Sequence, residues 1–323
     1  MAGTYQPTEY LYLSARLRAR EAFLVGKERL AQLAAMQDAA QITAALTAEG
    51  VFPADTPREE ALCAMLRDGF ATVREAAPDP RLFAFLQYPY DCHNLKTVLK
   101  CHFAGRDPGA LLLDVGTLPV SALNELPAQL PEGLPAQMRK GVVEAREAYE
   151  RTGDPRVIDF ILDAACFADM EKDAAALPAA AALVRARAEM TNLRTCRRLL
   201  AMCAGEAGEA MLSQAFVPGG DTDREALLDA YRAGEEGLAA LAAKGKYAGV
   251  LTEKTPAAMD LAMDNVYLDL AKEGARVPFG AEVALGYLVG VEYAVKNLRI
   301  LLVAKETGAD AETLKGRLRS SYV

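Results

Sequence analysis

Apolar residues recur along this chain at intervals of three and four rather than two, the spacing that lines up one face of an α-helix. Leu95, Val98, Leu99 and Phe103 form one such stripe, Leu193, Cys196, Leu200 and Cys203 a second, and Leu298, Leu301 and Leu302 a third. Ala, Leu, Glu, Arg and Lys dominate the sequence and runs of β-branched residues are rare, so helix propensity adds to the periodicity. The pattern predicts an all-α fold that leaves no room for a sheet of any size. Helix breaks are expected where proline and glycine cluster, at 53–57, 78–80, 107–109, 131–135, 153–155, 218–220 and 274–278.

A longer period lies over the helical one. Three of the asparagines open the same tripeptide, Asn94-Leu95-Lys96, Asn192-Leu193-Arg194 and Asn297-Leu298-Arg299. The copies are about 100 residues apart and each runs on to a glycine, Gly105, Gly205 or Gly308. An acid stands three residues before the first two asparagines, Asp91 and Glu189, whereas the third has Ala294. Downstream, Gly116 precedes Leu123 as Gly220 precedes Leu227. A unit of about 100 residues can hold its own core, so the repeat predicts three similar helical domains, 1–107, 108–216 and 217–323, able to close around a pseudo-threefold axis. A buried amide must find partners, so Asn94, Asn192 and Asn297 are expected to bond a neighbouring helix or loop backbone and fix how the units meet. Lys96, Arg194 and Arg299 either line a surface for an acidic partner or are ordinary solvated charges.

Charge and composition narrow the function classes. Lys and Arg number 36 against 44 Asp and Glu, a net charge of −8 with no basic block, which argues against nucleic acid as the main partner. With 52% apolar and 25% charged residues, the composition suggests neither disorder nor membrane insertion. The longest uncharged stretches, 174–184 and 283–291, fall short of the ~20 apolar residues of a spanning helix. The six cysteines include no Cys-x-x-Cys pair, so reduced thiols in a cytoplasmic setting are expected. Glu9, Arg16, Arg18 and Arg20 interrupt the apolar positions near the start, unlike the core of a signal peptide.

Candidate chemistry is sparse. Cys92-His93 and Cys101-His102 suggest a Cys2His2 metal site, but on one helix nine residues turn through roughly 900°, which points the pairs to opposite faces and favours core or groove packing. Cys196 and Cys203 share a face but stand about 10 Å apart along the axis, too far for a disulfide, and are expected in the core. Asp260 and Asp264, with Asn265 beside them, have a spacing that suits a magnesium ion, yet no second acidic motif faces them in the sequence and a solvated helix face is the simpler expectation. Gly245-Lys246 lacks the remainder of a phosphate-binding loop, with Ala240 where the first glycine belongs and Tyr247 after the lysine. No nucleophile elbow occurs, and two histidines leave little material for a triad. From the residues alone the chain reads as a three-unit helical interaction scaffold with no catalytic residue, metal or cofactor; a magnesium enzyme built on Asp260 and Asp264 is the rival.

Three stretches carry a family resemblance. They are the opening 10–19 with Tyr10, Tyr12 and the Ala15-Arg16-Leu17-Arg18 core, the segment Asp91 to Lys96, and the ending from Gly286 through Lys296-Asn297-Leu298-Arg299 to Leu318-Arg319-Ser320-Ser321-Tyr322-Val323. Together they resemble the C subunits of the V-type (A-type) ATPases and ATP synthases of bacteria and archaea, relatives of the eukaryotic d subunit. The resemblance implies a funnel of three helical domains, a non-catalytic rotor part that needs no cofactor. It would sit on the proteolipid c ring and receive the central stalk, a coiled-coil D-type subunit with its F-type companion. It also implies a cytoplasmic location, peripheral on the inner face of the cell membrane and without insertion into it. Arg16 and Arg18 match the first-helix motif and are candidates for internal packing or partner contact. Ala294 departs from the family's usual acid; Glu292, four residues before Lys296, is placed to offer a local pair of about 0.3 kcal/mol instead.

Overall fold

The computed structural model describes residues 6–126, 128–245, 247–253, 255–310, 313–314 and 316–323. Among them there is no strand, and the all-α expectation holds. The α-helices are α1 (Leu11–Glu21), α2 (Lys27–Ala34), α3 (Ala39–Ala48), α4 (Arg58–Ala76), α5 (Tyr88–Ala104), α6 (Ala136–Thr152), α7 (Arg156–Ala174), α8 (Pro178–Met202), α9 (Glu206–Ala215), α10 (Arg224–Arg232), α11 (Gly234–Lys244), α12 (Pro256–Ala271), α13 (Glu273–Arg276) and α14 (Ala281–Glu306). No helix among the described residues is long and apolar enough to cross a membrane.

Local chemistry sets the ends. Pro57 and Pro135 stand just before α4 and α6, where a missing N–H costs nothing. Asp38, Asp223 and Thr255 cap α3, α10 and α12, each accepting from the backbone N–H three residues on. Gly105 and Gly308, with φ of 62° and 68°, supply the left-handed residue just beyond α5 and α14. The sequence pattern did not mark the breaks at 22–26 and 35–38, where short turns separate helices without a proline.

The chain divides into two compact units, one made of 1–80 and 252–323, the other of 81–251. In the first, α14 is the core: nearly every residue from Ala281 to Leu302 is buried, and the helix packs against α1, α3, α4, α12 and α13. A helix that is apolar all round belongs inside a protein, and here neighbouring helices cover each of its faces. In the second unit α7 is central, packed by α5, α6, α8 and α9, while α10 and α11 lie against α8. Asp169 of α7 is buried and accepts the first N–H groups of α6, from Gln137 and Met138, at 2.8–3.0 Å. That carboxylate satisfies donors that a helix start otherwise leaves unpaired.

The histidines depart from the expectation of core or groove packing. The buried stripe of α5 runs through Asp91, Cys92, Leu95, Val98 and Leu99, which leaves His93 and His102 exposed. Of the second cysteine pair, Cys196 is fully buried and Cys203, at the end of α8, is half-buried.

Candidate functional site

The repeated asparagines are buried and doubly hydrogen-bonded to the backbone. Asn94, Asn192 and Asn297 are 0%, 1% and 0% exposed, on α5, α8 and α14. Each binds both backbone groups of one residue further along the chain. Asn94 donates to the Leu113 carbonyl and accepts from the Leu113 N–H, both at 2.8 Å. Asn192 does the same with Val217 at 2.9 and 3.0 Å, and Asn297 with Arg319 at 3.1 and 2.8 Å. An amide has one donor end and one acceptor end, so it completes a backbone that has left its helix, as a strand partner would. The neighbouring leucines, Leu95, Leu193 and Leu298, are buried beneath.

The acid three residues earlier completes the first two clamps. Asp91 accepts from the Thr117 N–H at 3.0 Å, the Thr117 hydroxyl at 2.6 Å and the Leu118 N–H at 3.2 Å. Glu189 accepts from the N–H and hydroxyl of Thr222 at 2.9 and 2.5 Å. Glycine lies against each carboxylate. A Cβ on Gly116 would fall far inside van der Waals contact with Asp91, and one on Gly220 would come 2.8 Å from Glu189 Oε2. The sequence echo between these glycines therefore has a steric cause. Burial pushes the Asp91 carboxyl above the usual carboxylate range, with the Thr117 hydroxyl and the two N–H groups acting against the rise.

The third clamp finds its acid on another helix. Asp264 of α12 accepts from Lys296 at 2.6 Å, from Arg319 at 2.8 Å and from the Tyr293 hydroxyl at 3.2 Å. Burial acts to raise its pKa, but Lys296 and Arg319 outweigh it and hold the carboxyl below its ordinary value. Beside it, Asn265 accepts from the Ser320 N–H at 2.8 Å, and the Tyr322 ring lies on Gly290, where a Cβ would be 2.8 Å from Cγ. Ala294 thus costs the clamp nothing: the carboxylate arrives from α12 and holds the tail by its arginine side chain.

Asp264 is therefore a counter-ion to two cations. No group of three or more His, Cys, Asp and Glu among the described residues is placed to hold a metal ion. His93 Nε2 lies 3.1 Å from the Leu111 carbonyl, and Cys92 donates towards the Leu162 carbonyl at 3.4 Å, so the two neighbours face different surroundings. Lys96 pairs with Asp163 at 2.6 Å and Arg299 with Glu59 at 3.0 Å. Arg194 lies exposed on α8.

Comparison with known proteins agrees with this chemistry. The sequence profile of the ATP synthase (C/AC39) subunit family matches residues 13–317. The chain belongs to this family. Among its relatives are the C subunit of the A-type ATP synthase of Methanocaldococcus jannaschii, 24% identical with 96% of this chain and 86% of the relative covered, and the C subunit of the V-type sodium ATPase of Enterococcus hirae, 23% identical with 78% and 79% covered. A C/AC39 subunit is a structural part of a rotary ATPase, not its catalytic one.

The first-helix motif of this C/AC39 family member is occupied internally. Arg18 donates to the carbonyls of Gly274 at 2.9 Å and Val277 at 2.7 Å and pairs with Glu21 at 2.8 Å; Arg16 pairs with Glu75 at 3.2 Å. Arg20 reaches Asp68 and the Tyr287 hydroxyl. Helix α1 thus turns its arginines towards its own unit and leaves Tyr12 outward, 69% exposed; Phe23, in the turn that follows it, is 80% exposed. The downstream segments that the asparagines grip went unread in the sequence, although the Gly116 and Gly220 echo pointed to two of them.

Proposed function

We propose that this chain is the non-catalytic rotor subunit of a V/A-type rotary ATPase, coupling the central stalk to the membrane proteolipid ring during ATP-linked proton or sodium transport. The observation that carries this reading is the family match across residues 13–317. The chemistry is compatible with it. A part that passes torque needs stiffness and shape rather than a nucleophile, and a buried amide holding both groups of a backbone residue resists displacement of that segment. On this reading the three segments 1–107, 108–216 and 217–323 are copies of one unit, each keyed by its asparagine. The partners are a coiled-coil stalk protein with its smaller companion and the c ring, and the chain is held at the inner face of the membrane through them. Arg16, whose ion pair with the exposed Glu75 is open to solvent, is the member of the first-helix pair placed to exchange that internal pair for a partner's carboxylate.

Native mass spectrometry of complexes captured through a tagged copy from detergent-solubilised membranes of the source cell tests the proposal. Recovery of the chain with a coiled-coil stalk protein and a proteolipid ring is the expected result. Recovery alone, or only with unrelated proteins while an intact rotary ATPase is present in the same membranes, overturns it.

A further inference from the structure

The second unit carries a groove that its own side chains leave open. It has a volume of about 590 Å3 and lies along α6 and α7, closed at one side by the segment that joins α9 to α10. The helices form a hairpin through Gly153 to Pro155, with Gly141 so near Ala165 that a Cβ there would meet the alanine methyl at 3.0 Å. Along α7 the groove floor is Val157, Phe160, Ile161, Ala164, Ala165 and Ala168, an unbroken apolar ridge at helical spacing, all of it half-buried. Small residues at its Ala168 end allow another helix to come close. The ridge is about 16 Å long, three turns of helix.

The rim is basic in a chain of net charge −8. Lys140 and Arg151 of α6 stand exposed at its two ends, and Arg224, 5.3 Å over the Phe216 ring, stands on the opposite side; Glu144 is the acid of the rim. Arg20, Arg29 and Arg232 are examples of arginines with carboxylate partners within the fold. Among the described residues Lys140 and Arg151 have none. Two unpaired cations about three turns apart, bracketing an apolar ridge of the same length, complement one kind of surface.

We propose that this groove is the docking site for an acidic amphipathic helix of a partner protein. Its apolar face of about three turns would lie on α7, and carboxylates near its two ends would meet Lys140 and Arg151. This is the helix-in-groove mode of recognition, with the ridge supplying burial and the rim fixing register. The inference rests on the groove and does not require the rotor reading, since any protein presenting such a helix satisfies it.

The test places the photoreactive residue p-benzoylphenylalanine at the exposed rim position Gln214 of the full chain, produced in its own cell and irradiated in intact membranes. The expected adduct, mapped by mass spectrometry, lies in a partner segment with helical apolar spacing and acidic residues about eleven positions apart. In the K140E/R151E background its yield is expected to fall about tenfold or more, and in K140Q/R151Q by less. Both sites are exposed, so circular dichroism melts should match those of the parent. An adduct to a second copy of this chain, to lipid or to a segment without acids overturns the proposal. So does the absence of any protein adduct, or a yield that the charge changes leave unaltered in folded protein.

Discussion

Each repeated asparagine stands where its amide takes the place of water at two backbone groups. Replacing Asn94 by alanine leaves the N–H and carbonyl of Leu113 without it, and the same holds for Val217 after Asn192→Ala. Orphaned groups of this kind cost about 1–3 kcal/mol each, so each variant is expected to lose about 2–6 kcal/mol in urea denaturation. Near-neutral midpoints would show that the loops are held by packing instead. Asp264→Asn tests the third clamp through pH. Its folded pKa is lowered, so the ionised form contributes stability above its ordinary value of 3.8, and that contribution is lost as pH falls through the folded value. The variant should therefore be less stable than the parent at pH 7 by about 2 kcal/mol and converge with it in acid. Asp91 has the opposite sign. Its raised pKa gives a contribution complete below 3.8 that declines as pH rises, so the deficit of Asp91→Asn should shrink towards neutrality. Parallel profiles for the two variants would contradict both assignments.

At the scale of elements, a clamp is a helix, a loop and a glycine that lets them touch. Gly116→Ala forces a methyl group into Asp91, whose oxygens are already fixed by Thr117 and Leu118, while Gly220→Ala presses less severely on Glu189. Thermal melts should fall for both, further for Gly116→Ala, with a loss of about 1–3 kcal/mol there. Equal or absent shifts would mean that the loops give way freely. Helices were legible in the sequence where period and punctuation coincide: α6 lies between Pro135 and Gly153, and α5, which bears the first clamp, ends at Gly105. The asparagines were legible because they repeat. Their partners were not, since Leu113, Val217 and Arg319 meet the asparagines through main chain alone, which any residue but proline can offer. The acid of the third clamp was hidden for another reason. Asp264 belongs to α12, and periodicity within one helix carries no record of which neighbour packs beside it. The same limit turned a carboxylate serving as a counter-ion into a candidate magnesium ligand.

At the scale of the whole chain, one unit is continuous and the other is not. Residues 81–251 contain two complete clamps, on Asn94 and Asn192, with the loops they hold and the α5 to α11 helices that bury them. The unit formed by 1–80 and 252–323 draws its central helix, α14, from one segment and much of the surrounding layer, α1, α3 and α4, from the other. Segment 252–323 alone cannot cover α14: without 1–80 the helix loses α1, α3 and α4, and exposed apolar surface of that extent drives aggregation. The fragment 81–251 is therefore expected to fold when produced alone, with the helical circular dichroism of its share of the chain and a single cooperative unfolding transition. The fragment 252–323 is expected to be insoluble or only partly helical until 1–80 is supplied with it. Co-expression of the two flanking segments followed by co-purification checks the second half, and urea unfolding of 81–251 followed by both far-UV dichroism and tyrosine fluorescence checks the first. If 81–251 fails to unfold cooperatively, the clamps on Asn94 and Asn192 do not suffice to close its core, and its stability must be supplied by the flanking segments.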